Sequence, residues 1–271
     1  MSKKNQWKSF FNKEMGHAMF DPISPASTVR EVEQILKKAK PRPGARILDL
    51  GCGIGRHSLE FAKRGFDVVG LDFSKDYLAE AIQAKKQSKS LKVKFIQGDM
   101  RKIDRYFPPA SFGLVVCLGD TFGFFDDRKD DKRILARVAR ILEPGGALVL
   151  NVSNGPGIEY HWHERAARFG YPDLLYWREY KPGSFYLERF VYNPKLARES
   201  MECIVVEAGA RSVKRCSLQK NVYTHEWFVA TLKVLGLKVE SKWERLGTRR
   251  KFHQRGWQQS LVARKRIAGE N

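Results

Sequence analysis

Three glycines at alternate positions, Gly51, Gly53 and Gly55, follow directly on the apolar run Ile47-Leu48-Asp49-Leu50. A helical pattern begins at once at Arg56. Strand, glycine turn and helix make the first unit of a nucleotide-binding α/β sheet. Glycine is needed where the backbone must turn tightly and a ligand must lie against it, because no Cβ intrudes. A second apolar run, Asp67-Val68-Val69-Gly70-Leu71, ends in Asp72. A carboxylate at the tip of the second strand is placed to accept hydrogen bonds from both hydroxyls of a ribose.

The loop distinguishes between two kinds of ligand. A dinucleotide site favours G-x-G-x-x-G, with the helix N-terminus facing a pyrophosphate. Here the spacing is G-x-G-x-G, with Arg56 in the sixth position. Asp49, just before the loop, would oppose a pyrophosphate and suits a ligand carrying a sulfonium and an α-ammonium group. That chemistry is S-adenosylmethionine (AdoMet).

With those residues in view, the sequence resembles the class I AdoMet-dependent methyltransferases. Asp49–Gly55 looks like their first motif and Leu71-Asp72-Phe73-Ser74 like their second. Phe95–Arg101 is similar to the third-strand segment that contacts adenine, and Leu114–Leu118 to the fourth strand. Leu142-Glu143-Pro144-Gly145-Gly146 resembles the turn into the fifth strand. A narrower resemblance is to a bacterial branch with a β-rich insertion after the fifth strand. It rests on Gly51–Ser58, Asp99-Met100-Arg101, Thr121–Phe124 and a Tyr-Thr helix start, Tyr223-Thr224-His225-Glu226. That branch often has Asn-Ser where this chain has Asp120-Thr121.

The resemblance implies a set of roles. Gly51, Gly53 and Gly55 would let the methionyl part approach the backbone, and Asp49 would face its cationic end. Asp72 would take the ribose hydroxyls. Asp99 would accept from the adenine amino group, with Phe73 and Met100 on the faces of the base. Leu118 and Gly119 would offer main-chain groups beside the methionyl moiety. On the acceptor side the candidates are Asp120, as a base or orienting group, and Tyr160, His161 and Tyr223 as pocket residues. His161-Trp162-His163 has the look of a ligand pair, but no third ligand has suggestive spacing, so no metal is expected.

Elements that position these residues can be read from periodicity. A helix is expected from Thr28 to Lys40, capped by Ser27 or Thr28, and strands and helices then alternate to residue 152. Residues 154–170 read as a loop rich in Gly, His, Trp and Tyr. From Leu174 to Leu218 the period changes to two, with turns at Lys181-Pro182-Gly183, Asn193-Pro194 and Ala208-Gly209-Ala210. A hairpin at the last turn sets Cys203 opposite Cys216, expected as reduced thiols. Thr224 should cap a helix to Leu235, followed by two strands.

The fold expected is α/β: a seven-stranded, mostly parallel Rossmann-like methyltransferase sheet with helices on both faces, plus a small antiparallel β insertion. Residues 1–30 form an N-terminal arm or lid, 31–153 and 219–271 the AdoMet-binding domain, and 154–218 the insertion over the acceptor site.

Composition bounds the partners. No apolar run approaches the ~18 residues that span a bilayer, and residues 1–13 lack a signal-peptide core. A cytoplasmic protein, monomer or homodimer, is expected. Fifty Lys and Arg against thirty Asp and Glu give a net charge of +20, densest from Ser241 to Arg266. A small-molecule acceptor, methylated at N or O, is the favoured reading. RNA methylation, suggested by the charge, is the second, and a non-catalytic AdoMet-binding scaffold is the third.

Overall fold

The computed structural model describes residues 7–20, 23–88, 90–209 and 213–267. Residues 1–6 and 21–22 of the expected arm, Ala210 of the expected turn and residues 268–271 lie outside that set.

Seven strands form the main sheet: β1 (Arg46–Leu50), β2 (Asp67–Asp72), β3 (Val93–Gln97), β4 (Phe112–Cys117), β5 (Leu142–Ser153), β10 (Leu237–Trp243) and β11 (Gln258–Lys265). Their order is β10-β11-β5-β4-β1-β2-β3. The pairs among β1 to β5 are parallel, and β11 is antiparallel to both β5 and β10. The order reverses between β1 and β4, which opens a crevice at their carboxyl ends, the expected ligand position for such a sheet.

The strands are apolar because both faces are covered. Along β1, Ile47 and Leu48 point to opposite sides. Ile47 joins one core with Val68, Leu114 and Val149, beneath α3 (Pro25–Ala39) and α4 (Arg56–Lys63). Leu48 joins the other with Val69, Val115 and Leu148, against α6 (Arg128–Ile141) and α8 (His225–Val234). Two short helices at the start of the chain, α1 (Trp7–Phe10) and α2 (Lys13–Phe20), send Trp7, Phe10 and Met15 into this second core. Helix α5 (Lys75–Lys86) follows β2, with Ser74 as its N-cap.

A second sheet holds β6 (Leu174–Lys181), β7 (Ser184–Asn193), β8 (Arg198–Val206) and β9 (Lys214–Asn221), antiparallel and in that order. Its first two turns fall at 182–183 and 194–197, where the punctuation by Pro and Gly put them, and β8 ends at Val206, just before the expected third turn. Cys203 and Cys216 are direct cross-strand partners and both are free thiols.

Two local expectations are corrected. Residues 154–170 are not a loop: Gly155–Phe169 is a helix, α7, with Pro156 in its first turn and Gly170 as its left-handed C-cap. Gly155 and Gly157, which suggested a loop, serve close packing instead. A Cβ on Gly157 would lie 1.8 Å from the Gly256 carbonyl oxygen. The cap of α3 is Ser24, not Ser27 or Thr28: its Oγ accepts from the Ser27 N–H, and Pro25 supplies the preset φ of a first helical residue.

Candidate active site

The glycine loop joins β1 to α4, and all three glycines adopt positive φ: 75° at Gly51, 55° at Gly53 and 77° at Gly55. They serve different purposes. A Cβ on Gly51 would stand 2.2 Å from Thr121 Cγ2, so this glycine lets the loop after β4 close against the loop after β1. Gly55 packs the helix start on Phe95, where a Cβ would come within 2.7 Å of the ring. Gly51 and Gly53 line a cavity of about 260 Å³; Gly55 does not.

That cavity has three walls. The loops after β1, β2, β3 and β4 supply Asp72, Phe73, Asp99, Met100, Leu118, Gly119 and Asp120. The N-terminal helices supply Trp7, Phe10, Phe11, Met19 and Phe20. The second sheet supplies Phe190, Glu199, Met201, Leu218 and Lys220. Of the sequence-derived cofactor residues, the structure gathers all but Asp49 and Gly55 into one lining.

Asp72 sits at the end of β2 and accepts from the Gly53 N–H and the Ser74 N–H, each at 2.8 Å. Burial raises its pKa, against the pull of those backbone donors. Each oxygen keeps a lone pair beyond its backbone bond, as a ribose diol requires. Asp49 is only 2% exposed and lies behind the loop, where Ser58 Oγ donates to it at 2.6 Å. Burial raises its pKa also. Asp49 therefore does not line the cavity.

Asp99 lines the cavity, but its carboxylate is held in a fork by Arg101, with Nη2 at 2.7 Å and Nε at 3.1 Å. Burial raises the Asp99 pKa; the Arg101 fork outweighs it and leaves the group below the ordinary range. The Arg101 guanidinium in turn lies 4.7 Å from the Phe125 ring and 5.6 Å from that of Trp7. Trp7 meets Phe73 edge-on at 4.6 Å. The arm is thus fastened at the end of the cavity lined by Phe73, Asp99 and Met100.

At the other end Asp120 follows Gly119, both with left-handed backbones (φ 63° and 65°). Asp120 Oδ1 accepts from the Ser153 N–H and Oδ2 from the Ser153 hydroxyl, each at 2.7 Å. Oδ2 also bonds the buried Lys220 ammonium. Lys220 donates to Ser153 Oγ at 2.7 Å and pairs with Glu199 Oε2 at 2.9 Å. Burial would lower the Lys220 pKa, but Asp120 and Glu199 drive it above its ordinary value. Lys220 and Glu199 went unremarked in the sequence, although their alternation in β9 and β8 would have aligned them had the register been known.

Three expected acceptor residues are displaced from the cavity. Tyr160 and His161 ride on α7: Tyr160 lies under the Arg255 guanidinium at 4.5 Å, and His161 stacks on Trp257 at 4.1 Å with its Nε2 2.8 Å from the Arg255 carbonyl oxygen. Tyr223 stacks on Trp227 and donates to Asp131 at 2.6 Å. None of the three lines the cavity.

Behind the loop, Glu31 accepts from Arg56 at 2.6 Å and lies 2.7 Å from His57 Nε2. Burial works against its carboxylate, yet His57 and Arg56 prevail and bring its pKa down from 4.5 to about 2. A carboxylate with a depressed folded pKa stabilises fully above its unfolded value and loses that contribution as pH falls through its folded one. Glu31→Gln should therefore lower the unfolding free energy at neutral pH by about 2 kcal/mol, allowing for screening. The gap from wild type should close between about pH 4.5 and pH 2. Urea denaturation across that range checks both.

The strand order, the glycine loop at the end of β1 and the carboxylate at the end of β2 define a Rossmann-like fold built to hold a nucleoside. Residues 47–146 match the family described as a methyltransferase domain. A glycine/sarcosine N-methyltransferase of Halorhodospira halochloris is 32% identical over 142 residues, covering 52% of each chain. The chain spans about half the length of the curated relatives it matches. In fold, it is similar over 98% of its length to all of the CcbJ methyltransferase from Streptomyces caelestis, with TM-score 0.76 and 18% identity. CalS10, an amino pentose methyltransferase from Micromonospora echinaspora with SAM bound, gives a TM-score of 0.61 at 24% identity, over 90% of this chain and 92% of that one. Residues 47–146 are thus similar to a methyltransferase domain, and the fold of the whole chain is that of these methyltransferases. CalS10 carries SAM, and the Asp72 lone pairs, the Phe73–Met100 wall and the open backbone at Gly53 fit a ligand of that kind.

Proposed function

We propose that the protein transfers the methyl group of AdoMet to a nitrogen or oxygen of a small molecule held in the cavity. The observation that carries this reading is the enclosure of the crevice by aromatic residues of α1 and α2 on one side and the inner face of the second sheet on the other. An acceptor confined there is small. The arm and the insertion act as covers, and the acceptor lies beside Gly119 and Asp120.

AdoMet supplies an already activated methyl group, so the protein's work is to bind, orient and exclude water. Asp72 holds the ribose, while Phe73 and Met100 hold the base. Trp7, Phe10 and Phe11 keep water out. Asp120 orients the acceptor through the network it shares with Ser153 and Lys220. A similar N-methyltransferase acts on glycine and sarcosine, and a similar fold serves an amino pentose, which supports a small acceptor.

Asp72→Ala should weaken cofactor binding by ~1–3 kcal/mol, because a carboxylate–hydroxyl pair is lost and the Gly53 N–H is left without its partner. Equilibrium titration with S-adenosylhomocysteine reads this directly. The acceptor class is tested by transfer of tritium from methyl-labelled AdoMet into a cell extract. Label in the small-metabolite fraction supports the reading. Label in RNA would replace it with the alternative that the net charge of +20 favours. No label in any fraction would point to a non-catalytic role.

A further inference from the structure

The inner face of the second sheet is ordered in cross-strand rows. Register places Phe190, Met201 and Leu218 side by side on β7, β8 and β9, and Tyr192, Glu199 and Lys220 in the next row. Residues two apart along a strand share a face, so both rows look the same way. The apolar row and the Glu199–Lys220 pair all line the cavity. The acceptor space therefore has an apolar roof that ends in charge, next to Asp120.

That charge is unbalanced. Asp120 and Glu199 share the single Lys220 ammonium, a formal sum of −1. Lys220 has three donors, and Asp120, Ser153 and Glu199 engage them. It has none left for an incoming group. Asp120 already accepts from the Ser153 backbone, the Ser153 hydroxyl and Lys220. Glu199 differs: it is 8% exposed, its Oε2 faces Lys220, and no hydrogen bond among the described residues reaches its Oε1. On a cavity wall that oxygen is open to a donor from the cavity, and a cation that supplied one would bring the cluster to neutrality. A second anion would take the sum to −2, and a hydroxyl would leave it unchanged.

We propose that Glu199 recognises the acceptor, and that the acceptor is an amine that binds protonated, with its apolar body along Phe190, Met201 and Leu218; it gives that proton to the Glu199 carboxylate, and the freed nitrogen lone pair then takes the methyl group as the bond from carbon to the sulfonium breaks. This rests on the methyltransferase reading above and narrows its substrate to amines. Lys220 fixes the Glu199 carboxylate at the wall, so that recognition comes from a preset group.

Three probes with one apolar body test it: cyclohexylamine, cyclohexanol and cyclohexanecarboxylate, titrated into the protein saturated with S-adenosylhomocysteine. Cyclohexylamine should bind ~10-fold or more tightly than either of the others, as expected for a charge-assisted bond in a buried setting. In Glu199→Gln the preference should shrink to about twofold or less, with S-adenosylhomocysteine binding retained as proof of folding. Equal binding of the three probes by the wild type overturns the proposal without need of any variant, as does an undiminished preference in Glu199→Gln. If S-adenosylhomocysteine itself fails to bind the wild type, the methyltransferase reading fails first. If it binds and the amine is not preferred, only the assignment of Glu199 and of an amine is lost.

Discussion

Lys220→Met is expected to cost about 3–5 kcal/mol of unfolding free energy, the range for breaking a buried ion pair by removing one partner. The Lys220 ammonium is buried among Asp120, Glu199 and Ser153. Met fills similar space but leaves two carboxylates facing each other without a cation. The loss should be strongly non-additive, because Glu199→Gln in the same chain removes one of the stranded charges. The double variant should be more stable than Lys220→Met alone. Urea denaturation of the two variants and the wild type gives the comparison. A loss below about 1 kcal/mol would mean that the ions are solvated and that the network does not hold the roof to the main sheet.

Asp120→Asn should reduce turnover on the true acceptor by ~10²-fold or more while leaving AdoMet affinity within a few-fold. Asn keeps the shape of the side chain and tolerates the left-handed backbone at this position. What it removes is the charge that Lys220 answers and one acceptor for Ser153. The carboxylate is engaged on both oxygens, which suits an orienting group better than a base waiting for a proton. Steady-state kinetics with separate kcat and KM, alongside titration with S-adenosylhomocysteine, distinguishes the two sites. Loss of cofactor affinity, or unchanged turnover, would place the acceptor elsewhere.

The glycine-loop half of the candidate site is legible in the sequence because its determinants are local. Gly51, Gly53 and Gly55 lie within one turn, Asp72 ends a strand whose apolar run is unmistakable, and Asp99 follows the shorter strand Val93–Gln97. Ser74 and Thr224 cap α5 and α8 through side-chain bonds to residues three positions on. Even there the reading was coarser than the structure: Asp49 and Gly55 support the loop from behind, and Asp99 is bound to Arg101.

The other half of the candidate site, around Asp120, is not legible because it is assembled across the chain. Asp120, Ser153, Glu199 and Lys220 come from two sheets, and no local pattern announces that they meet. Tyr160 and His161 misled for the converse reason. They follow the fifth strand in sequence, but α7 carries them to Trp257 and Arg255. The apolar period of α7 is broken by Gly155 and Gly157, whose small size is demanded by the neighbouring backbone, so the segment read as a loop.

The claim on which the rest depends is that the crevice between β1 and β4 holds AdoMet. Calorimetric titration of the wild-type protein with S-adenosylhomocysteine and, separately, with NAD tests it most directly. The account predicts saturable binding of one S-adenosylhomocysteine per chain and none of NAD. Binding of NAD with no response to S-adenosylhomocysteine would contradict it.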